Sequence, residues 1–292
     1  MAVLDFLSEL KGIDFYYFPN PGNAGDSVIA CATYQVFNKL NLKFTVCDLN
    51  NVDVDLRGKV VVLGGGGNFI NLYPNVRRFF QKYHDVCERI ILLPHTVRDQ
   101  DEIIKSLSGN VTLFAREIPS YDYLSSIETE SKCYLDHDMA LLMNISEVPD
   151  YFLIRRKLTF ALFFRNVKRF IRSFSYRLRN RSQDLYVFRG DSESSNVAFF
   201  DYGKVHNIDL SQAFAADSMD EYESFDTVNK MISFINSYQI VHTDRLHVCI
   251  LSALLGKQVK FYANSYDKNK SIYEFSLKDR FDSVEFLGDL NE

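Results

Sequence analysis

The sequence predicts an α/β fold in which two parallel-sheet domains face a central cleft. Short apolar runs of strand length alternate with amphipathic segments over the first 145 residues, and the same alternation begins again near residue 185. Buried apolar strands that alternate with helices are typical of parallel, doubly wound sheets. A basic segment separates the two halves. We therefore predict domains at 1–150 and 185–292, joined by a basic insertion or linker at 151–184.

The individual elements follow from the same patterns. In the first half, strands are predicted at 13–18, 43–47, 60–63, 90–93 and 111–115, and helices at 27–40 and 69–86. In the second half, strands are predicted at 185–189, 239–242 and 258–263, and helices at 219–237 and 244–255. Because ligands of open α/β sheets bind outside the carboxyl ends of the strands, the residues after each strand are the first candidates for a site.

Composition restricts the class of protein and its location. The first dozen residues contain Asp5, Glu9 and Lys11, so no signal-peptide core is present, and no apolar run reaches the roughly 18 residues of a membrane-spanning helix. We therefore expect a cytoplasmic protein. The five cysteines are dispersed without metal-ligand spacing, so we expect reduced thiols, no metal and no cofactor.

Two glycine-containing turns follow predicted strands. The first strand is followed by Gly22 and Gly25, and then by Asp26 or Ser27 at a helix start, where a capped turn is the simplest interpretation. Four glycines at 64–67 follow the third strand. That run lacks the Gly-Lys-Ser/Thr of a P-loop, and it serves either a closely approaching ligand or a structural bend.

Cationic residues follow two further strands. Arg116 could hold a carboxylate or a phosphate, or it could form a plain ion pair with Glu117 or another acidic neighbour. Arg245 and His247 lie in the first turn of a predicted helix that Thr243 or Asp244 could cap. A helix start with two such side chains suits anion binding and proton donation. The alternative is a capped helix with a partly buried histidine.

Several motifs, taken in order, resemble the polysaccharide pyruvyl transferase family over residues 15 to 277. They are Gly22-Asn23-Ala24-Gly25-Asp26, the run 64–68, Arg116 with Ser120-Tyr121, Asp138-Met139-Ala140-Leu141, Arg189-Gly190-Asp191, Thr243-Asp244-Arg245-Leu246-His247, and Asn264-Ser265-Tyr266 before Lys268-Asn269. Two departures are the segment 151–183 and His95, which stands where a glutamine is expected.

The resemblance implies two Rossmann-like domains in a GT-B-like arrangement. It also implies transfer of pyruvate from phosphoenolpyruvate to two sugar hydroxyls of a bacterial exopolysaccharide or cell-wall glycan precursor, giving a ketal and phosphate. By resemblance, phosphoenolpyruvate is held by Arg116, Arg245, Leu246 and His247, with His247 as proton donor. Asp26, placed across the cleft on the N-terminal half, is the candidate base. The acceptor side of the cleft is expected to include Asn23, Gly25, Gly65, Gly66, Asn68, Arg189, Asn264 and Ser265.

Other functions stay open at this point. A GT-B glycosyltransferase that uses a nucleotide sugar could have the same architecture, and so could a non-catalytic scaffold, because fold does not determine chemistry. The glycine loops would serve a nucleotide as well. However, the two arginines and the histidine suit a small anion better, and a scaffold has no need of them.

The segment 151–183 contains ten basic and no acidic residues, whereas the rest of the chain, with 23 basic and 38 acidic residues, has a net charge of −15. Its apolar residues recur at steps of three and four, which predicts a basic amphipathic helix. Such a helix could lie on an anionic membrane at the inner face of the plasma membrane, near a lipid-linked acceptor. It could instead pack between the domains. Nucleic acid is disfavoured because the whole chain is acidic. The apolar positions are Phe160, Phe163, Phe164, Val167, Ile171, Phe174 and Leu178.

Overall fold

The computed structural model describes residues 2–148, 160–179, 183–190, 206–264 and 267–288. The chain forms two compact units, each with its own parallel sheet, which confirms the predicted α/β class. The first unit comprises Met1–Pro21, Ile29–Met143 and Ser218–Glu221, and the second comprises Gly22–Val28, Asn144–Asp217 and Tyr222–Glu292. Each unit therefore draws on both halves of the sequence.

The first unit contains a seven-stranded sheet. Its strands are β1 Asp14–Phe18, β2 Lys43–Val46, β3 Val60–Leu63, β4 Gly66–Phe69, β5 Arg89–Val97, β6 Val111–Ala115 and β7 Lys132–Leu135. They lie in the order β2-β1-β3-β5-β6-β7, with β4 also paired to β5, and every pairing is parallel. The chain moves to opposite sides of β1 when it enters β2 and β3. In open α/β sheets such a switch point leaves a crevice at the strand ends.

Helices flank this sheet and cover its apolar residues. They are α1 Ala2–Ser8, α2 Ala24–Lys39, α3 Asn75–Tyr83, α4 Asp101–Ser106 and α5 Ile118–Ser125, and a 3-10 turn spans Met139–Leu142. All four residues of β3 are buried, in agreement with its unbroken apolar pattern. The prediction of a helix at 69–86 was wrong at its start. Phe69 belongs to β4, where it is fully buried against Phe80, and the helix begins only at Asn75.

The second unit contains four strands, β8 Asp184–Val187, β9 Ile240–Thr243, β10 Gln258–Phe261 and β11 Val284–Phe286. Their order is β11-β10-β9-β8, and all pairings are parallel. The accompanying helices are α6 Phe160–Arg179, α7 Leu210–Ala213, α8 Glu221–Ile235, α9 Leu246–Leu254 and α10 Lys268–Ile272, followed by a π-helical turn at Tyr273–Leu277.

The sequence predicted a helix in the basic segment and no membrane-spanning helix. Helix α6 confirms that the basic segment contains a helix, while 151–159 and 180–182 of the predicted insertion lie outside the described residues. Within the described part of the chain, no helix combines the length and the apolar character needed to span a membrane.

Candidate functional site

The loop after β3 packs closely against the loop after β1 in the first unit. A Cβ atom added to Gly64 would lie 2.6 Å from the backbone nitrogen of Asn20, and one added to Gly65 would lie 2.8 Å from the carbonyl oxygen of Pro94. Contacts this short between backbone atoms leave no space for a side chain. Gly66 has φ of +150°, a conformation that favours glycine. Loop packing therefore explains Gly64, Gly65 and Gly66, which supports the structural interpretation of this run.

Arg116 lies in a buried polar network beside these glycines. Its side chain is 2% exposed; Nε donates to Thr96 Oγ1 at 2.9 Å and Nη1 donates to Asp138 Oδ2 at 2.7 Å. Glu117 Oε2 lies 3.9 Å from Arg116 Nε. A Cβ atom added to Gly67 would lie 2.8 Å from Arg116 Nη2. The structure thus places Arg116 in an ion pair, with Asp138 as the nearer carboxylate. In this arrangement the guanidinium lies against the glycine loop at Gly67.

Asn68 is held by His95, the residue that stands in place of the expected glutamine. The Asn68 N–H donates to His95 Nε2 at 3.1 Å, and both residues are buried. Burial, followed by the charge of Arg116, lowers the pKa of His95 to about 3. The ring is therefore neutral at physiological pH, and its function here is to fix β4 against β5.

The turn after β1 ends in a capping box at the start of α2. Asn23 Oδ1 accepts the Gly25 N–H at 2.8 Å, and Asp26 Oδ2 accepts the Asn23 N–H at 2.9 Å. This reciprocal pair satisfies two donors at the helix start. The prediction that Asp26 or Ser27 caps the helix was wrong by three or four residues, because the helix begins at Ala24 and Asn23 occupies the cap position. The interpretation of this segment as a capped turn is confirmed.

The same turn lies against His247. A Cβ added to Gly25 would be 2.8 Å from His247 Nδ1, so a side chain at this position would displace the imidazole. Both residues belong to the second unit, which includes Gly22–Val28. Asn23, Gly25 and Asp26 were assigned to the N-terminal half from the sequence; the structure groups them with the unit that contains His247, against which Gly25 lies.

Helix α9 begins without a side-chain cap. It starts at Leu246, and Arg245 occupies the cap position with no side-chain hydrogen bond to the helix. The prediction that Thr243 or Asp244 caps this helix was wrong. Thr243 Oγ1 donates to the Val187 carbonyl oxygen at 2.7 Å and accepts the Arg245 N–H at 3.0 Å. The start of α9 therefore carries no side-chain cap, and helix starts of this kind attract anions.

Arg245 also forms an ion pair through Nη2 with Asp209 Oδ2. The arginine side chain is 5% exposed and that of Asp209 is 20% exposed, so this pair is nearer to solvent than the Arg116 pair. A guanidinium has five N–H donors in a fixed fork, which suits carboxylates and phosphates. Arg245 and His247 thus lie together at the uncapped start of α9.

Asp244, which the sequence suggested as a possible helix cap within the motif 243–247, is a further candidate site residue. It is 1% exposed, its Oδ1 accepts the Arg189 N–H at 2.9 Å, and its Oδ2 has no hydrogen-bond partner among the described residues. Burial raises the pKa of Asp244 to about 6. A buried carboxyl that titrates near neutral pH at a strand end is typical of a functional site. Its position directly after β9 was the available signal.

Asparagines connect the loops after β9 and β10. Asn269 Nδ2 donates to the carbonyl oxygens of Asp244, at 2.7 Å, and Tyr262, at 2.9 Å, and the Asn269 N–H donates to Asn264 Oδ1 at 3.1 Å. Asn264 and Arg189 are buried, with 5% and 8% exposure, so both contribute to the frame of this edge. Ser265, also predicted as part of the site, lies outside the described residues.

The structure thus separates the predicted residues into two sets. Residues of the second unit are Asn23, Gly25, Asp26, Arg189, Arg245, Leu246, His247 and Asn264; residues of the first unit are Gly65, Gly66, Asn68 and Arg116. Among the described residues, no cluster of three or more His, Cys, Asp or Glu side chains is arranged to hold a metal. Burial raises the pKa of the Cys31 and Cys249 thiols, which disfavours the nucleophilic thiolate.

Comparison with known proteins gives consistent results. A curated relative, named "Putative pyruvyl transferase EpsO", from Bacillus subtilis (strain 168), is 26% identical over 285 residues, which covers 93% of this chain and 87% of the relative. The crystal structure of a "functional uncharacterized protein" from Klebsiella pneumoniae subsp. pneumoniae NTUH-K2044 aligns with a TM-score of 0.73 at 28% identity, covering 98% of each chain. The model of the polysaccharide pyruvyl transferase family matches residues 23–266. The chain therefore belongs to the polysaccharide pyruvyl transferase family.

Proposed function

We propose that this protein transfers pyruvate from phosphoenolpyruvate to two hydroxyls of a sugar in a glycan precursor. Membership of the family supports a transferase that acts on a polysaccharide. The observation that carries the proposal is the start of α9, where Arg245 and His247 adjoin helix amides without a side-chain cap. A GT-B-like pairing of the two units and a lipid-linked acceptor are further parts of the proposal, taken from the resemblance.

The donor site suits a small, highly charged anion. Phosphoenolpyruvate carries a carboxylate and a phosphate, and both bind well to a guanidinium and to helix N–H groups. In the proposal Arg245 and the amides of Leu246 and His247 hold the donor. Arg116 acts as a positioning residue, because its guanidinium is 2% exposed and bonded to Asp138 and Thr96.

The reaction begins with proton transfer to carbon. His247 gives a proton to the methylene carbon of phosphoenolpyruvate, which becomes a methyl group and leaves a cation-like centre at the neighbouring carbon. A sugar hydroxyl attacks that centre and loses its proton to a base. The second hydroxyl then attacks the same carbon, the bond to the phosphate oxygen breaks, and phosphate leaves with the bonding electrons and takes up the proton of that hydroxyl. The products are a cyclic pyruvate ketal and inorganic phosphate.

Asp26 is the proposed base for the first hydroxyl. Its Oδ2 accepts the Asn23 N–H, so the carboxyl is fixed in orientation three residues from that cap. The variant Asp26→Asn keeps an acceptor for the capping box and removes the base. We expect phosphate release to fall at least tenfold with little change in melting temperature; unchanged turnover would assign Asp26 to the cap alone.

The first test is thermal stabilisation by phosphoenolpyruvate, compared with UDP-sugars and GDP-sugars. A ligand at 100 times its dissociation constant that binds only the folded protein adds about 2.7 kcal/mol to the free energy of unfolding. We expect this stabilisation with phosphoenolpyruvate, and we expect Arg245→Ala to lose it relative to its own ligand-free melting temperature. The control Arg280→Ala, an exposed arginine of the same unit, should keep it.

Two results would contradict the proposal. Stabilisation by a nucleotide sugar alone would indicate a glycosyltransferase of similar fold. Stabilisation by none of these ligands, together with no phosphate release in the presence of acceptor glycan, would favour a non-catalytic scaffold.

A further inference from the structure

Helix α6 has two opposite faces with different surroundings. Arg169 and Tyr176 are buried, with 3% and 6% exposure. Val167, Ile171 and Phe174, hereafter the apolar row, are 38%, 57% and 52% exposed. At about 100° per residue, the centre of the apolar row lies roughly opposite to Arg169 and Tyr176 around the helix axis. The apolar side of this amphipathic helix is therefore the side that solvent reaches, whereas a helix packed in the usual way buries it.

A buried ion pair fixes this orientation. Arg169 Nη1 lies 3.1 Å from Asp226 Oδ2, and Nη2 donates to the carbonyl oxygens of Phe214 and Ala215 and to Thr227 Oγ1 at 2.7, 3.0 and 3.0 Å. Rotation of the helix to bury the apolar row would break these bonds and leave charged groups unpaired in the interior, which is costly. The exposure of the apolar row is thus a property of the folded unit.

Two basic side chains flank the apolar row: at about 100° per residue, Lys168 lies roughly 90° and Arg172 roughly 130° from the centre of that row. Lys168 and Arg172, on the same helix, are exposed. The segment 151–183 contains ten basic and no acidic residues, whereas the rest of the chain has a net charge of −15. The exposed surface of α6 is therefore apolar on one side, with cationic side chains on the flank of that side, in a chain whose other residues carry a net negative charge.

We propose that α6 docks this protein onto an anionic membrane surface. The apolar row enters the boundary between lipid headgroups and acyl chains, while Lys168 and Arg172 contact lipid phosphates. Interfacial helices bind membranes through this combination of apolar burial and attraction to anionic lipid. The docking depends on α6 alone and holds whether or not the proposed reaction is correct.

Charge and apolar character together favour a membrane over a second copy of the chain or a nucleic acid. A symmetric dimer through this side would bring two basic segments together, and like charges at short distance repel. A nucleic acid would pair with Lys168 and Arg172 but would leave the apolar row exposed to water. An anionic bilayer presents phosphates above an apolar interior, so it satisfies both features at once.

The experiment is co-sedimentation of the full chain with phosphatidylcholine vesicles, with and without phosphatidylglycerol. We expect binding only to the anionic vesicles, and we expect the double variant Ile171→Ser/Phe174→Ser to lower the partition coefficient at least tenfold. The matched control is Leu72→Ser/Ile118→Ser, which removes two exposed apolar side chains of the first unit, 60% and 48% exposed, and should bind as the wild type does.

A second variant tests the charge. Arg172→Gln should weaken binding about fivefold, since one basic side chain near an anionic surface contributes approximately this factor. All substituted side chains are exposed, so unchanged circular dichroism spectra would verify that the variants fold. The proposal is overturned if the wild type ignores anionic vesicles or if Ile171→Ser/Phe174→Ser binds them equally well. A wild-type dimer that becomes monomeric in this double variant would place a second copy on the apolar row and would also overturn it.

Discussion

The two strand-end arginines have different surroundings, although the sequence gives them the same context. Arg116, after β6, is paired with Asp138, and both side chains are almost completely buried. Arg245, after β9, is paired with Asp209, which is 20% exposed, and it lies at the uncapped start of α9. A buried charge held by a buried carboxylate supports the fold, whereas a charge at a helix start without a side-chain cap lies where anions bind.

The buried carboxylates show the same difference between the two units. Asp138 accepts a charged hydrogen bond from Arg116 and also the Ala140 N–H at 2.9 Å. Asp244 accepts the Arg189 N–H, but its other oxygen has no hydrogen-bond partner among the described residues. The first arrangement satisfies its polar atoms. The second arrangement leaves Asp244 Oδ2 without a hydrogen-bond partner among the described residues, which costs stability and is typical of a functional site.

The largest effect is expected from Arg116→Leu. This substitution would leave Asp138 buried without its charged partner and should lower the free energy of unfolding by about 3–5 kcal/mol, measured by urea denaturation. The control Arg57→Leu removes an ion pair whose side chains are 79% and 61% exposed, and it should cause no resolvable change. A loss below about 1 kcal/mol for Arg116→Leu would mean that Arg116 is free to serve a ligand, and the two arginines would then be alike.

Next in size is the pH dependence caused by Asp244. Its folded-state pKa is about 6, above the ordinary value of 3.8, so the folded protein binds this proton more tightly than the unfolded chain does. Asp244 therefore stabilises the folded protein below pH 4, where it is protonated. This contribution to the free energy of unfolding, about 3 kcal/mol in total for a shift of this size, is lost as the pH rises through 6.

The variant Asp244→Asn isolates this contribution. Between pH 4 and 7 the wild type should lose about 2 kcal/mol of unfolding free energy relative to the variant, measured by denaturation at each pH. Asparagine still offers an oxygen to the Arg189 N–H, so the comparison concerns ionisation. Parallel stability curves for the two proteins would show that Asp244 is a satisfied structural carboxylate like Asp138.

The smallest expected effect comes from Gly25→Ala. The added Cβ would be 2.8 Å from His247 Nδ1, so the imidazole must move away from its position beside the start of α9. We expect phosphate release from phosphoenolpyruvate to fall at least tenfold, or about 1.4 kcal/mol of activation free energy. The control is Gly109→Ala, where the nearest atom is 3.8 Å away. If Gly25→Ala retains full turnover, the position of His247 does not matter for the reaction.

Much of the architecture could be predicted because it depends on local patterns. Unbroken apolar runs identified β3 and β6 at their observed limits, since a strand buried on both faces shows no alternation. Steps of three and four identified α6. The start of α3 was missed because Phe69 continues the apolar pattern of the helix, while its pairing with Val97 in the sheet depends on contacts that the local pattern does not report.

The sequence by itself determined the alternation of strands and helices, the position of the polar motifs after strands, and the basic character of α6. Only the tertiary structure decided which of these motifs are satisfied internally. It paired Arg116 with Asp138, placed Gly25 against His247 and turned the apolar row of α6 to solvent. It also left one oxygen of Asp244 without a hydrogen-bond partner among the residues that the structure describes. The physical reason is that local periodicity reports burial propensity and chain direction, whereas hydrogen-bond partners and the exposed side of a helix depend on residues distant in sequence.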